Sequence, residues 1–280
     1  MSLLVSVTLD AGTEGGTGQG LVSWFGTALS WPLGELLERE REGAVESLAT
    51  TLMCEGAERR EFALARGEWD AIRAELARGP ETADVLVFYS GAERPTVHVH
   101  SSSILVKRPN AEVQLFFLGD EAARAADAAF CAALVSFLVS ALNPVNPAFG
   151  RVCAGEPITE RANLDSVLGR KVRRSVAQAR QWLRGYAWVT VCPAELTAAL
   201  GGANALERSG AFHRVVPLAS GGTLLQATET LAGFSDDAMR RTFETLAPVL
   251  PAGVPQVDPA HPQVRFVPQD AARFAGGGRC

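Results

Sequence analysis

Apolar residues alternate with polar ones, or β-branched and aromatic residues predominate, in several short segments of the chain. Both patterns predict β-strands. The strongest examples are residues 2–9, residues 84–89 (DVLVFY) and residues 186–191 (YAWVTV). Weaker strand patterns occur at residues 61–65, 96–105, 113–118 and 148–154.

In other segments the apolar residues recur at three- and four-residue spacing, which predicts amphipathic helices. The clearest case is residues 163–184, where Leu164, Leu168, Val172 and Val176 fall on one stripe. Residues 236–246 form another predicted helix, with Ser235 as its N-cap. The remaining predicted helices are residues 34–53, 68–78, 120–142 and 194–206, the last with a Gly-Gly break at 201–202.

The order of these elements predicts an α+β fold, a largely antiparallel sheet with helices packed on one face. A glycine pair at 221–222 separates two strand patterns, residues 212–218 and 223–227, and so predicts a β-hairpin. The Asn-Pro pairs at 143–144 and 146–147 mark the predicted boundary between two similar α+β halves. These halves are residues 1–145 and residues 146–280.

The net charge of −5 argues against a surface built throughout for phosphate backbones, so nucleic acid is not the expected partner. The five cysteines are odd in number and never spaced as Cys-x-x-Cys, which favours a reducing cytoplasm. The N-terminus lacks the pattern of a secretion signal. The apolar residues 128–142 are fewer than the roughly 20 that span a bilayer, so no membrane partner is expected.

The glycine-rich residues 12–20 (GTEGGTGQG) follow the first predicted strand, where nucleotide-binding folds often place a phosphate-binding loop. Counting from Gly16 gives Gly18, but Leu21 stands where the dinucleotide fingerprint needs a third glycine. No Gly-Lys-Ser/Thr follows, so the phosphate-binding lysine of a P-loop is missing as well. We therefore predict a mobile loop here.

His98 and His100 alternate with valines, so both imidazoles are expected on one face of a strand. Two histidines so placed could bind zinc, but the spacing indicates no third ligand, and ordinary polar-face residues are the favoured interpretation. The serines at 101–103 adjoin His100 in sequence, which does not establish a catalytic dyad. No hydrolase, metalloprotease or calcium-loop motif is present. We expect no catalytic residue, no metal and no cofactor.

Two predicted helices, residues 34–53 and residues 163–184, carry strongly charged faces. Glutamates dominate the first and arginines the second, and solvated helix faces explain both patterns without a partner. The alternative interpretation is a docking surface for another protein. The candidate partner-binding residues are then Glu35, Glu38, Glu42, Glu46, Arg170 and Arg174.

Three motifs in the C-terminal half occur in a familiar order: GYAWVTV at 185–191, LGG at 200–202 and GGTLLQAT at 221–228. This order of a glycine-aromatic strand, a Leu-Gly-Gly helix end and a Gly-Gly hairpin resembles the bacterial type VI immunity family. That family was once classed as a domain of unknown function, and its members are encoded beside polymorphic or secreted toxins. The resemblance covers residues 163–250, and its motifs are structural rather than catalytic.

The resemblance implies a non-enzymatic protein that binds a cognate toxin and neutralises it by occluding its active site. The net acidity suits a basic nuclease toxin, because complementary potentials accelerate encounter. The alternative is a small-molecule- or nucleotide-binding enzyme that uses the loop at residues 12–20 and the strand face of His98 and His100. A third hypothesis is nucleic-acid binding through the arginines of residues 170–184.

Overall fold

The computed structural model describes residues 2–10, 16–34, 47–54, 58–62, 69–88, 97–102, 110–155, 164–257, 259 and 265–274. Ten strands in this part of the chain form one sheet in the order β3-β2-β4-β5-β6-β1-β7-β8-β10-β9. Every neighbouring pair is antiparallel. The strands are β1 Ser2–Leu9, β2 Ser47–Cys54, β3 Glu58–Phe62, β4 Thr82–Phe88, β5 Val97–Ser102, β6 Ala111–Leu118, β7 Phe149–Gly155, β8 Val189–Cys192, β9 Arg214–Pro217 and β10 Thr223–Gln226.

Helices separate and follow these strands, so the predicted α+β class with an antiparallel sheet is confirmed. The helices are α1 Gly16–Ser30, α2 Trp69–Ala77, α3 Glu121–Ala126, α4 Ala128–Leu142, α5 Leu164–Val167, α6 Val172–Ala177, α7 Ala194–Ala199, α8 Ala203–Arg208 and α9 Asp236–Leu246. Short 3₁₀ turns follow at Ala247–Val249 and Ala271–Arg273. No helix in the described ranges is long and apolar enough to cross a bilayer.

Strand β1 lies in the middle of the sheet, with β6 on one side and β7 on the other. Its alternating residues Leu3, Val5 and Val7 are fully buried, and they face the main hydrophobic core. Helices α1 and α4 contribute to that core through Trp24 and Phe137, whose rings meet edge to face at 4.9 Å. Strands from before and after the predicted boundary near residue 145 thus belong to one continuous sheet. The division into two similar halves stays a prediction.

The second face of the sheet is covered unevenly. In β8 and β10 every residue is buried, so other elements cover both faces there. In β5 burial alternates strictly, which leaves His98, His100 and Ser102 partly exposed on the second face. Strands β4 and β5 therefore present polar side chains, among them Asp84, His98 and His100, partly to solvent.

Several predicted elements are confirmed closely. Strands β9 and β10 pair as the predicted hairpin over residues 214–226, and Gly201 and Gly202, with φ angles of 87° and 84°, separate α7 from α8. The Ser235 hydroxyl accepts a hydrogen bond of 3.3 Å from the Ala238 N–H and caps α9. These signals succeed because caps and tight turns depend on local residues.

Other predicted helix boundaries are wrong. The predicted helix at 163–184 is broken after α5 by Gly169, whose φ angle is 63°, and only α6 follows before a series of turns. The predicted helix at 120–142 is divided at Asp127, whose carboxylate accepts hydrogen bonds from Ala129 N and Phe130 N and so caps α4. The predicted helix at 34–53 fails at its end, because residues 47–54 pair with β3 and β4 as strand β2.

The glycines of residues 16–20 are helical, which corrects the predicted loop over this part of residues 12–20; residues 11–15 lie outside the described part. Their small size serves close packing. A Cβ on Gly18 would lie 2.2 Å from the Ala77 carbonyl oxygen, and one on Gly20 would lie 2.6 Å from a Leu9 methyl. The absence of side chains at Gly18 and Gly20 therefore allows α1 to pack closely against α2 and β1.

We expect Gly18→Ala to destabilise the protein by about 1–3 kcal/mol, because its new methyl group overlaps rigid backbone at the end of α2. Gly26→Ala is the matched control in the same helix, since its Cβ would meet only the Trp69 side chain at 3.3 Å. Urea unfolding measures both. Equal stabilities for the two variants would contradict this account of the close α1–α2 contact.

Candidate functional site

Three side chains on β4 and β5 converge on the partly exposed face of the sheet. Asp84 lies directly opposite His100 in the antiparallel pairing, and His98 precedes His100 by two residues on the same face. His98 Nε2 lies 2.7 Å from Asp84 Oδ1, and His100 Nδ1 lies 2.6 Å from the same oxygen. We call these three residues the Asp84 cluster.

The electrostatics of the cluster favour an ionised carboxylate. Burial by itself would raise the pKa of Asp84, but the hydrogen bonds and charges of His100 and His98 outweigh it and hold that pKa well below its usual range. Each side chain keeps between 22% and 25% of its surface exposed, so the cluster can be reached from solvent. Phe116 of β6 stacks on the His98 ring at 5.3 Å and fixes its plane.

The sequence placed His98 and His100 on one face correctly but missed Asp84. The available signal was its polar side chain at the start of an otherwise apolar strand pattern, DVLVFY. Only the β4–β5 register brings it opposite His100, and register depends on partner strands rather than local spacing. Ser101, in contrast, is buried on the opposite face and cannot join these histidines.

A second polar cluster connects the C-terminal half to the centre of the sheet. Arg184 donates from Nε to Asp165 Oδ2 at 3.0 Å and from Nη1 to Thr8 Oγ1 at 2.7 Å. Asp165 also accepts hydrogen bonds from Ser175 and Arg170. Arg184 and Asp165 are only 5% and 3% exposed, so their charges are compensated within the protein.

Arg180 also connects residues 164–184 to the centre of the sheet, through hydrogen bonds just after the end of β1. It donates to Asp10 at 2.7 Å, to Glu195 at 2.9 Å and to the Asn146 carbonyl at 2.7 Å. Arg170, Arg180 and Arg184 are therefore occupied by internal acceptors, which leaves fewer cations for a nucleic-acid backbone. Of the predicted partner-binding arginines, Arg170 is held by Asp165 and mostly buried, whereas Arg174 is exposed.

Four large apolar side chains are exposed in the C-terminal half of the chain, among the residues that the structure describes. The large hydrophobic residues that are exposed in the described ranges are Val172, Trp182, Val254 and Val257. The Gln256 N–H donates to the Val167 carbonyl at 2.9 Å, which places the second pair of valines beside α5. Together with the exposed Lys171, Arg173 and Arg174, these four residues make up what we call the Trp182 surface.

The predicted acidic docking residues Glu35, Glu38, Glu42 and Glu46 lie outside the described residues. The buried cysteines Cys131 and Cys192 belong to the hydrophobic core. Burial raises the pKa of the Cys192 thiol to about 12, so it is protonated and unreactive at neutral pH.

The fold resembles that of a protein with a known structure. The Pseudomonas aeruginosa type VI secretion system protein PA0821 superposes with a TM-score of 0.56 at 12% sequence identity. The match covers 98% of this chain and 80% of that protein. No family model and no curated protein matches the sequence. At this level of identity the comparison establishes the shared fold.

We expect Asp165→Asn to destabilise the protein by about 3–5 kcal/mol, because it leaves the Arg184 guanidinium buried without its counter-charge. Asp70→Asn is the control, since Asp70 pairs with Arg73 at 3.9 Å in a solvent-exposed position. We expect that control to change stability by less than about 1 kcal/mol. Urea unfolding at neutral pH compares the two, and similar losses would show that the buried pair has no special role.

Proposed function

We propose that this chain is an immunity-type protein that binds a cognate bacterial toxin and occludes its active site without catalysing a reaction. The observation that carries the proposal is the fold shared with a type VI secretion protein over 98% of the chain. The motifs at residues 185–228 point independently to the type VI immunity family. Both similarities extend through the C-terminal half.

A rigid scaffold suits inhibition by occlusion, because a preorganised surface loses little conformational entropy on binding. The Asp165–Arg184 pair and the Arg180 hydrogen bonds fix residues 164–184 against β1. The buried contacts of Arg180 and Arg184 therefore hold the backbone that carries the exposed residues Arg174 and Trp182.

The Trp182 surface is the contact region that we favour in the described part of the chain. Tryptophan and arginine are the residue types most enriched among binding hot spots, and Trp182 is 41% exposed beside an arginine-containing helix. Interfaces combine such anchors with a polar rim. A toxin segment with apolar and acidic side chains would complement this surface.

The acidic residues at 35–46 make a competing contact region. The net charge of −5 favours encounter with a basic toxin, and Glu35, Glu38, Glu42 and Glu46 would complement such a toxin directly. The two regions carry opposite charge. Charge-changing variants in each region therefore distinguish the two modes of binding.

The enzyme alternative has less structural support. Gly18 and Gly20, part of its proposed ligand loop, are helical and pack against other elements. The other part of the proposed enzyme site is the strand face of His98 and His100. Asp84 lies beside both histidines, and this set of side chains suits a metal ion better than a nucleotide.

The first experiment is to measure binding between the purified protein and the product of the neighbouring gene. We expect a complex with micromolar affinity or tighter. We expect Trp182→Ala to weaken it by at least ~30-fold, the effect of losing a hot spot of about 2 kcal/mol. The absence of a complex with any neighbouring gene product would refute the proposed function.

Charge reversal then tests the contact region. Arg174→Glu should weaken the complex, whereas Arg240→Glu on the exposed side of α9 is the matched control and should leave the affinity within about threefold. If the four glutamates contact the toxin instead, their replacement by glutamine weakens binding while Trp182→Ala and Arg174→Glu do not.

A further inference from the structure

The donor atoms of the Asp84 cluster converge on one small region of the sheet surface. The three ligand atoms, two imidazole nitrogens and one carboxylate oxygen, all lie within 4.8 Å of one another. We propose that Asp84, His98 and His100 form a binding site for a transition-metal dication of the Zn²⁺ type. The argument rests on ligand chemistry, spacing and access, and it is independent of toxin binding.

The backbone holds the ligands in place before any ion binds. Asp84 and His100 are directly paired across β4 and β5, and the alternation of β5 puts His98 on the same face. β4 and β5 are interior strands of the sheet, flanked by β2 and β6. The spacing between the ligands is therefore fixed by hydrogen-bonded strands rather than by loops, which favours a preorganised site.

Metal coordination requires a change in the spacing of the three donor atoms. Zinc bonds of about 2.0–2.2 Å to nitrogen and oxygen place tetrahedral ligands roughly 3.3 Å apart. The present separations from Asp84 Oδ1 are 2.7 Å and 2.6 Å. Side-chain rotations would have to widen these two separations by about 0.7 Å and bring the two imidazole nitrogens, which lie within 4.8 Å of each other, to the same spacing.

The surroundings of the cluster are suitable for an ion that exchanges with solvent. All three side chains are partly exposed, so an ion can enter without opening of the core. Phe116 stacked on the His98 ring restrains the orientation of that ligand. Three protein ligands leave the fourth tetrahedral position to water, as in zinc sites that keep an open coordination position.

The donor set also selects the class of metal. Imidazole suits zinc and neighbouring transition metals, whereas calcium and magnesium prefer sites built entirely from oxygen ligands. Two imidazoles with one carboxylate therefore predict binding of Zn²⁺, Co²⁺ or Ni²⁺ and little response to Mg²⁺ or Ca²⁺. The competing explanation is a purely hydrogen-bonded network in which both imidazoles donate an N–H to Asp84 and no ion binds.

Zinc titration of the full-length, chelator-treated protein tests the proposal. Calorimetry should show one Zn²⁺ per chain, and Zn²⁺ but not Mg²⁺ should raise the melting temperature. We expect the double variant His98→Gln, His100→Asn to lose at least ~10-fold in Zn²⁺ affinity. His213→Asn, which changes an exposed histidine outside the cluster, is the matched control and should bind like the parent.

Cobalt substitution identifies the ligands. Co²⁺ bound here should give tetrahedral d–d absorption without a thiolate charge-transfer band, and Asp84→Asn should abolish that spectrum. Asp84→Asn also provides the test if the histidine double variant does not fold. The proposal is overturned if the variants bind Zn²⁺ as the parent does, if the parent shows no binding at micromolar Zn²⁺, or if the thiolate band appears.

Discussion

The central position of β1 is the constraint on which the rest of the structure depends. This strand pairs along its length with β6 and β7, so it joins elements from both halves of the chain. One of its faces supplies Leu3, Val5 and Val7 to the hydrophobic core, which drives the association of the sheet with α1 and α4. Its other face carries the buried polar residues Ser6 and Thr8, and these require hydrogen-bond partners.

Those partners explain why a charged segment lies over the centre of the sheet. Ser6 donates to Glu112 at 2.6 Å, and Thr8 accepts from Arg184. Once Arg184 is buried against Thr8 and Phe149, it needs a counter-charge, which Asp165 supplies. The hydrogen bond between a threonine in the first strand and an arginine in the second half thus acts with the Arg180 contacts to hold residues 164–184 over β1. That position in turn leaves Trp182 and Arg174 on the outside.

The sequence predicts caps, turns and helix breaks, which depend on neighbouring residues. It does not predict structure that depends on pairing with distant segments. The Ser235 cap, the 221–222 hairpin and the break at 201–202 were predictable, because each is encoded within a few residues. The strand identity of residues 47–54 was not, because pairing with β3 and β4 overrides the local helical spacing. The contribution of Asp84 to the histidine cluster was not predictable for a similar reason, because it depends on strand pairing. Its partners are 14 and 16 residues away in sequence, and only strand register brings them together.

Uneven coverage of the second face of the sheet gives its two ends different chemistry. Over β8 and β10 that face is closed, and every residue of both strands is buried. Over β4 and β5 it stays open, so Asp84, His98 and His100 lie close together and remain partly exposed to solvent. A partner that covered β4 and β5 would desolvate Asp84 and make its pairing with His98 and His100, or with a metal ion, more important. Trp182 and Arg174 belong instead to residues 164–184, which Arg184 anchors to Thr8 of β1, so the two proposed sites use different parts of the chain and can be tested separately.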